Sequence, residues 1–211
     1  QRDIYIARGG GGEYFRNRFN YHAFRYALVR GLPRAPRLEE IEGQLISTNY
    51  EAAATFNCDH PLLNDIYDTV IWTHRCLSLG GYTVDCPHRE RLGYGGDSGT
   101  SMEAAMLNFQ SGPFYAKWAA DWRLSQAENG DMPHTAPNSQ QAGGGPVWSG
   151  FCITMPWMTY TYYGDRRVLE QGWPVMRKWL AFIETKMDDG ILQPYSGIGA
   201  GMDWSFLGDW V

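Results

Sequence analysis

Between Asn57 and Met187 the apolar residues recur at helical spacing in five successive segments, and this feature restricts the fold more than any other. The first is NCDHPLLNDIYDTVIWTHRCLSL. Asn57 or Asp59 stands as its N-cap, Pro61 takes an early helical position, and Leu62, Leu63, Ile66, Val70 and Ile71 share one face. SGTSMEAAMLNFQ, GPFYAKWAADWRLSQ, SGFCITMPWMTYTYYG and DRRVLEQGWPVMRKWLAFIETKM follow, with Pro156 expected to kink or split the fourth and Pro174 inside the fifth. The loops between them exceed what helix packing requires, above all ENGDMPHTAPNSQQAGGGPVW, and long loops in a compact domain are usually functional or disordered. Five helices with site-like loops after alternate ones predict helical hairpins around an axis, their loops gathered at one end. Five is also an unfinished number for such a ring, so the expectation is part of a larger catalytic domain.

Residues 1 to about 55 have a different pattern. DIYIAR, FRYALVR and IEGQLISTNYE read as strands, RGGGGE as a flexible connection, and RGLPRAP cannot be helical because Pro33 and Pro36 remove donors and restrict their predecessors. Three strands are too few to cover an apolar sheet face. The expected organisation is therefore the tail of a larger β-domain over residues 1–55, and the first part of a helical catalytic domain over 56–211.

Composition excludes some partners. Eighteen Lys plus Arg against twenty-three Asp plus Glu, without long single-sign runs, leave no basic stripe for a nucleic-acid backbone. No apolar run approaches the ~20 residues of a membrane span. Nucleic acid and membrane are therefore not expected as partners. Cys58, Cys76, Cys86 and Cys152 form no CxxC pair, and cytosolic and periplasmic settings fit equally well. His22, His60, His74, His88 and His134 show no metal-ligand spacing, so no metal or other cofactor is expected. Nine Trp and thirteen Tyr in a chain that is only 19% charged would suit either a helical core or a surface on which sugar rings stack.

The chemistry concentrates in DCPHRERLGYGGD, residues 85–97. A structural account would pair Asp85 with Arg89 and Glu90 with Arg91, and would let Asp97 cap the following helix. That explains pairing but not placement. Gly93, Gly95 and Gly96 allow close backbone approach and Cys86-Pro87 sets a turn, as in a loop built to aim acids. Carboxylates beside a cavity with flanking aromatics suit glycosidic bond cleavage, in which one acid protonates the leaving oxygen and another carboxylate works on the opposite face of the sugar. A cation beside Glu90 would depress its pKa, so Arg89 and Arg91 are expected to point away from it.

This run resembles the signature of the α-L-rhamnosidases of glycoside hydrolase family 78, in which an Asp-Cys-Pro turn leads through Arg and Glu to Arg-Leu-Gly-aromatic and then Gly-Asp. YHAFRYALVRGLP, CDHPLLNDIYDTVIWTHR and VWSGFCITMPWMTYTYYGD resemble, in order, the family's strand before the catalytic domain, its first barrel helix and a later Trp-led helix. The resemblance implies a mainly α protein. Its fold would be an incomplete (α/α)6 barrel, a six-hairpin toroid, preceded by a short β-sandwich remnant. The implied activity is release of terminal α-L-rhamnose, from a rhamnose-containing glycoside or polysaccharide, with inversion. Carried over, Glu90 would be the general acid, Asp85 and Asp97 would bind rhamnose hydroxyls, and Arg89 would hold the sugar or orient its neighbours. Tyr94 falls where the family often has Trp and would wall the sugar less extensively. Trp148 would lead the later helix and bind the sugar, and Asp209 with Trp210 would line the pocket. The chain has the short HRER form of the motif, which aligns Glu90 with the proton donor. The family's general base is a Glu further downstream, with no counterpart here, so this segment alone is expected to be inactive. Trp118, Trp122, Trp157, Trp173 and Trp179 are expected in the core and Glu103 on a solvated face. The rival readings are an (α/α)6 glycosidase for another terminal sugar and a non-catalytic sugar-binding module.

Overall fold

In the computed structural model, which describes residues 1–139 and 145–195, the helices form where the periodicity places them. They are α1 (Pro61–Leu77), α2 (Gly95–Asn108), α3 (Gly112–Ser125), α5 (Phe151–Tyr163) and α6 (Arg166–Glu184), with a four-residue α4 (Pro146–Ser149) leading into α5. Two small antiparallel hairpins join them, β1 (Ser78–Leu79) with β2 (Tyr82–Thr83), and β3 (Met187–Asp188) with β4 (Ile191–Leu192).

The core lies where α2, α3 and α6 pack around α5. Phe114, Tyr115, Trp118, Ala119 and Trp122 make the buried stripe of α3, and Val168, Gly172, Met176, Trp179, Phe182 and Ile183 that of α6, both at helical spacing. Phe151 sits between Trp118 and Trp122 in edge-on contact, with ring centroids 5.2 and 5.5 Å away. Asp165 caps α6 by accepting the Arg167 backbone N–H. Pro156 neither splits nor ends α5, which runs through to Tyr163. Met155 and Thr159, fully buried on either side of it, anchor that stretch in the core.

Three expectations change. The N-cap of α1 is His60, not Asn57 or Asp59. No side-chain cap is made there, and Asn64 instead reaches back to bond both the N–H and the C=O of Cys58. The apolar stripe of Leu62, Leu63, Ile66 and Val70 is exposed, while Asn64, Tyr67, Ile71 and His74 face the rest of the described chain. A ring helix has two flanks, and periodicity locates a stripe without saying which neighbour it meets. Trp118, Trp122 and Trp179 are buried, but Trp157 and Trp173 are 56% and 61% exposed.

Residues 1–47 contain the three segments read as strands, or most of them, yet among the described residues they form no ladder. The only regular element there is one 3-10 turn (Leu38–Glu40). Ile4, Ile6, Phe19, Phe24, Tyr26 and Leu28 are exposed. Strand-forming residues hold a sheet only when partner strands supply the ladder and cover one face. The linking residues do pair. Ala52 bridges Phe109, the Gln110 N–H donates to the Glu51 carbonyl, and Thr48 N–H donates to the Ser78 carbonyl.

His74 gives the fold a pH dependence. Its ring stacks on Phe109 at 5.3 Å, lies 3.2 Å from the Ser78 hydroxyl through Nε2, and burial lowers its pKa to about 4. The unfolded chain, with an ordinary imidazole, takes up a proton near pH 6.5 that the folded chain refuses. Stability contributed by neutral His74 is therefore complete above about pH 6.5 and is lost as pH falls toward 4, by about 3 kcal/mol in all. Melting temperatures from pH 7.5 to 4 should fall, and His74→Phe should flatten the decline.

Candidate active site

The acid loop is closed by its own first carboxylate. Asp85 and Leu92 pair back to back: the Asp85 N–H donates to the Leu92 carbonyl at 3.0 Å, and the Leu92 N–H donates to Asp85 Oδ1 at 3.0 Å. Between them a turn over Pro87–Glu90 returns the chain, with the Arg91 N–H on the Cys86 carbonyl at 3.2 Å. The Cys86 thiol donates to Asp85 Oδ2 at 2.7 Å and its sulfur accepts the Glu90 N–H at 3.3 Å. Asp85, Cys86 and Glu90 thus bring two carboxylates and a thiol within 4.8 Å, a set that could chelate a cation but is joined here by its own hydrogen bonds.

The arginines part company. Arg91 turns away from the acids, as expected. Its guanidinium bonds the Pro87 carbonyl, the Asn20 side chain at 2.9 Å and the Tyr21 carbonyl at 2.8 Å, and lies 4.5 Å over the Tyr21 ring. These contacts hold Arg91 at φ 60°, a left-handed conformation uncommon for a residue with a Cβ. Arg89 does not point away. It pairs with Glu90, not Asp85, at 2.8 Å, and its own side chain is 68% exposed against 26% for Glu90. With thirteen residues folded back so tightly, the neighbour in sequence is the nearest cation to Glu90.

Tyr94 joins loop to helix and senses every acid of the motif. Its pKa is raised by burial first, then by the negative charge of Glu90, a side-chain hydrogen bond to Glu90, and the charges of Asp85 and Asp97. Its ring stacks on His134 at 5.3 Å, and its backbone bridges Thr135. Residues 134–136 run beside 93–95, with the Gly95 N–H on the His134 carbonyl and the Ala136 N–H on the Gly93 carbonyl. Sequence reasoning missed His134. The signal available was its place in the over-long loop, not its spacing from any other residue.

Asp97 does not cap a helix starting at Ser98, because α2 begins at Gly95 and leaves Asp97 exposed in its first turn. Carboxylates are favoured there by the helix dipole. Gly95 and Gly96 start the helix because α4 lies on them. A Cβ on Gly95 would fall 2.1 Å from the Trp148 carbonyl oxygen, and one on Gly96 would fall 2.4 Å from the Trp148 indole. Half-buried Trp148 is thereby laid beside the residue preceding Asp97. Asp85, Arg89, Glu90, Tyr94 and Asp97 therefore lie on one loop and helix start, and Trp148 lies against the two glycines at that start. Asp209 and Trp210 lie outside the described residues. Glu103 is exposed, accepting the Tyr162 hydroxyl at 2.6 Å. A concavity lined by Arg16, Arg18, Glu42 and Gln44 sits on the N-terminal segment and includes no acid-loop residue.

Comparison with known proteins agrees along the whole chain. Residues 1–47 match a bacterial alpha-L-rhamnosidase concanavalin-like domain. An alpha-L-rhamnosidase of Streptomyces avermitilis is 34% identical over 209 residues, 98% of this chain and 20% of its own length. One of Formosa agariphila is 30% identical over 212 residues, 95% of this chain and 22% of its own. This chain spans about a fifth of such relatives. Among solved structures, the alpha-L-rhamnosidase of Dictyoglumus thermophilum superposes with a TM-score of 0.72 at 34% identity, over 77% of this chain and 19% of that one. The Streptomyces avermitilis alpha-L-rhamnosidase complexed with L-rhamnose gives 0.58 at 31% identity, over 67% and 13%. Since residues 51–211, the whole helical part, match the bacterial alpha-L-rhamnosidase 6 hairpin glycosidase domain, the chain belongs to the bacterial α-L-rhamnosidase family.

Proposed function

We propose that this chain supplies the proton-donating half of an inverting α-L-rhamnosidase, with Glu90 as the general acid. The observation that carries the reading is the half-buried Glu90 carboxyl beside Tyr94, whose pKa its negative charge helps to raise, at the start of a helix against which Trp148 is laid. A terminal rhamnose would present its hydroxyls to Asp85 and Asp97, whose carboxylates accept hydrogen bonds, and an apolar ring face to Trp148.

Arg89 is the group whose position must change. Its guanidinium lies 2.8 Å from the Glu90 carboxyl that would have to reach the glycosidic oxygen. Its exposed side chain could swing to a sugar hydroxyl instead. The arriving sugar would then displace both the cation and water from beside Glu90. Protonated Glu90 would pass its proton to the glycosidic oxygen as the C–O bond breaks. Inversion needs a second carboxylate about 6.5–9.5 Å from the first to activate water. None of residues 1–211 is assigned that role in this reading.

The test uses the full-length protein bearing this segment and a panel of aryl glycosides. Aryl α-L-rhamnoside should be cleaved at least a hundred-fold faster than the other sugars, and proton NMR should show β-L-rhamnose as the first product. Preference for another glycone would point to a different toroid glycosidase. First release of the α-anomer would exclude inversion.

A further inference from the structure

The acid loop contains a group that the proposed reaction does not use. Cys86 bonds two of the residues assigned to the site. Its S–H donates to Asp85 Oδ2 at 2.7 Å, and its sulfur accepts the Glu90 N–H at 3.3 Å. The thiol thus gives its one proton to one acid and receives from the backbone of the other. The other cysteines make no such set of contacts: Cys152 is buried in the helical core, and Cys58 donates only to the His60 carbonyl.

We infer that Cys86 is a positioning residue, its thiol setting the Asp85 carboxylate and the Glu90 backbone in mutual register. Asp85 has one oxygen held by the Leu92 N–H, which closes the loop, and the other by the thiol, which sets the plane of the carboxylate. The bond to the Glu90 N–H fixes where the acid's backbone leaves the turn, and so where its side chain starts. Alanine would leave the place of the sulfur empty and make none of these bonds. Serine keeps one donor and two acceptor lone pairs in nearly the same volume.

This inference rests on Glu90 being the acid, and the experiment separates the two. Cys86→Ala, Cys86→Ser and Glu90→Gln are made in the full-length protein and assayed on an aryl α-L-rhamnoside with a poor leaving group. Misplacing an acid by about 1 Å costs up to about a hundred-fold in rate. Cys86→Ala should therefore lose about 10- to 100-fold in kcat with KM changed less than threefold, and Cys86→Ser should recover most of that loss. A wild-type kcat for Cys86→Ala, or a serine variant as slow as the alanine one, overturns the positioning role while leaving Glu90 untouched. A Glu90→Gln variant that turns over normally overturns both. Should Cys86→Ala fail to fold, blocking the thiol of the folded protein with methyl methanethiosulfonate gives the second reading. Reversible loss of activity in wild type, spared in Cys86→Ser, supports the role. Full activity with Cys86 shown by mass spectrometry to be blocked overturns it.

Discussion

Glu90→Gln in the full-length protein should lower kcat by about 10²- to 10⁴-fold on phenyl α-L-rhamnoside, the range that positioned proton transfer contributes. The same change should cost far less on a dinitrophenyl rhamnoside. A phenoxide leaving group needs a proton to depart, whereas a dinitrophenolate leaves nearly unaided. Gln keeps the size of Glu, and the bonds by which Asp85 and Leu92 close the loop do not involve the Glu90 side chain, so the loop should stand and rhamnose affinity should change little. Paired kcat values on the two substrates decide the matter. Equal losses on both would mean that residue 90 holds the sugar and does not donate the proton, and unchanged rates would reject it altogether.

The helices were legible because each repeats its buried residues every three or four positions, as Val168, Gly172, Met176, Trp179 and Ile183 do in α6. Their neighbours were not. The apolar stripe of α1 reads as an inward face, but the side turned to the described residues carries Asn64, Tyr67, Ile71 and His74. The start of α2 was misjudged because two adjacent glycines are poor helix formers, and only the weight of Trp148 on them makes glycine the residue that fits. The N-terminal segments show the converse. Their composition suits strands, but a ladder needs partners that no short segment carries within itself.

The acid loop was recognised by its order of residues, and its wiring came only with the fold. Spacing offered Arg89 to Asp85 and Arg91 to Glu90, yet Arg89 took Glu90 and Arg91 took Asn20 and Tyr21, some seventy positions away. A left-handed Arg91 turns its side chain out of the loop, and no local rule predicts that of a non-glycine residue. Cys86 was read as half of a turn, because a thiol's hydrogen bonds leave no trace in spacing.

Gly95→Ala should destabilise the protein by about 1–2 kcal/mol, against the usual effect of alanine in a helix. Alanine is favoured over glycine inside a helix by about 1 kcal/mol. At position 95 the added methyl would stand 2.1 Å from the Trp148 carbonyl oxygen, 2.8 Å from Phe151 Cβ and 3.0 Å from the Trp122 ring. The first two belong to the junction of α4 and α5 and cannot rotate aside as a side-chain tip would. Relief therefore requires α4 to lift, at an overpacking cost of about 1–3 kcal/mol, occasionally more, from which the propensity gain is subtracted. Lifting α4 also carries Trp148 away from Gly96, so KM for the rhamnoside should rise along with the loss of stability. Gly99 lies one turn further along α2, where a methyl would meet only Phe151 Cδ2 at 3.7 Å, an ordinary contact. Gly99→Ala should accordingly be neutral or stabilising by up to about 1 kcal/mol. Urea unfolding of the two variants side by side isolates the contact from the propensity. Equal stabilities would mean that α4 does not rest on the start of α2, and the placement of Trp148 beside the acids would fall with it.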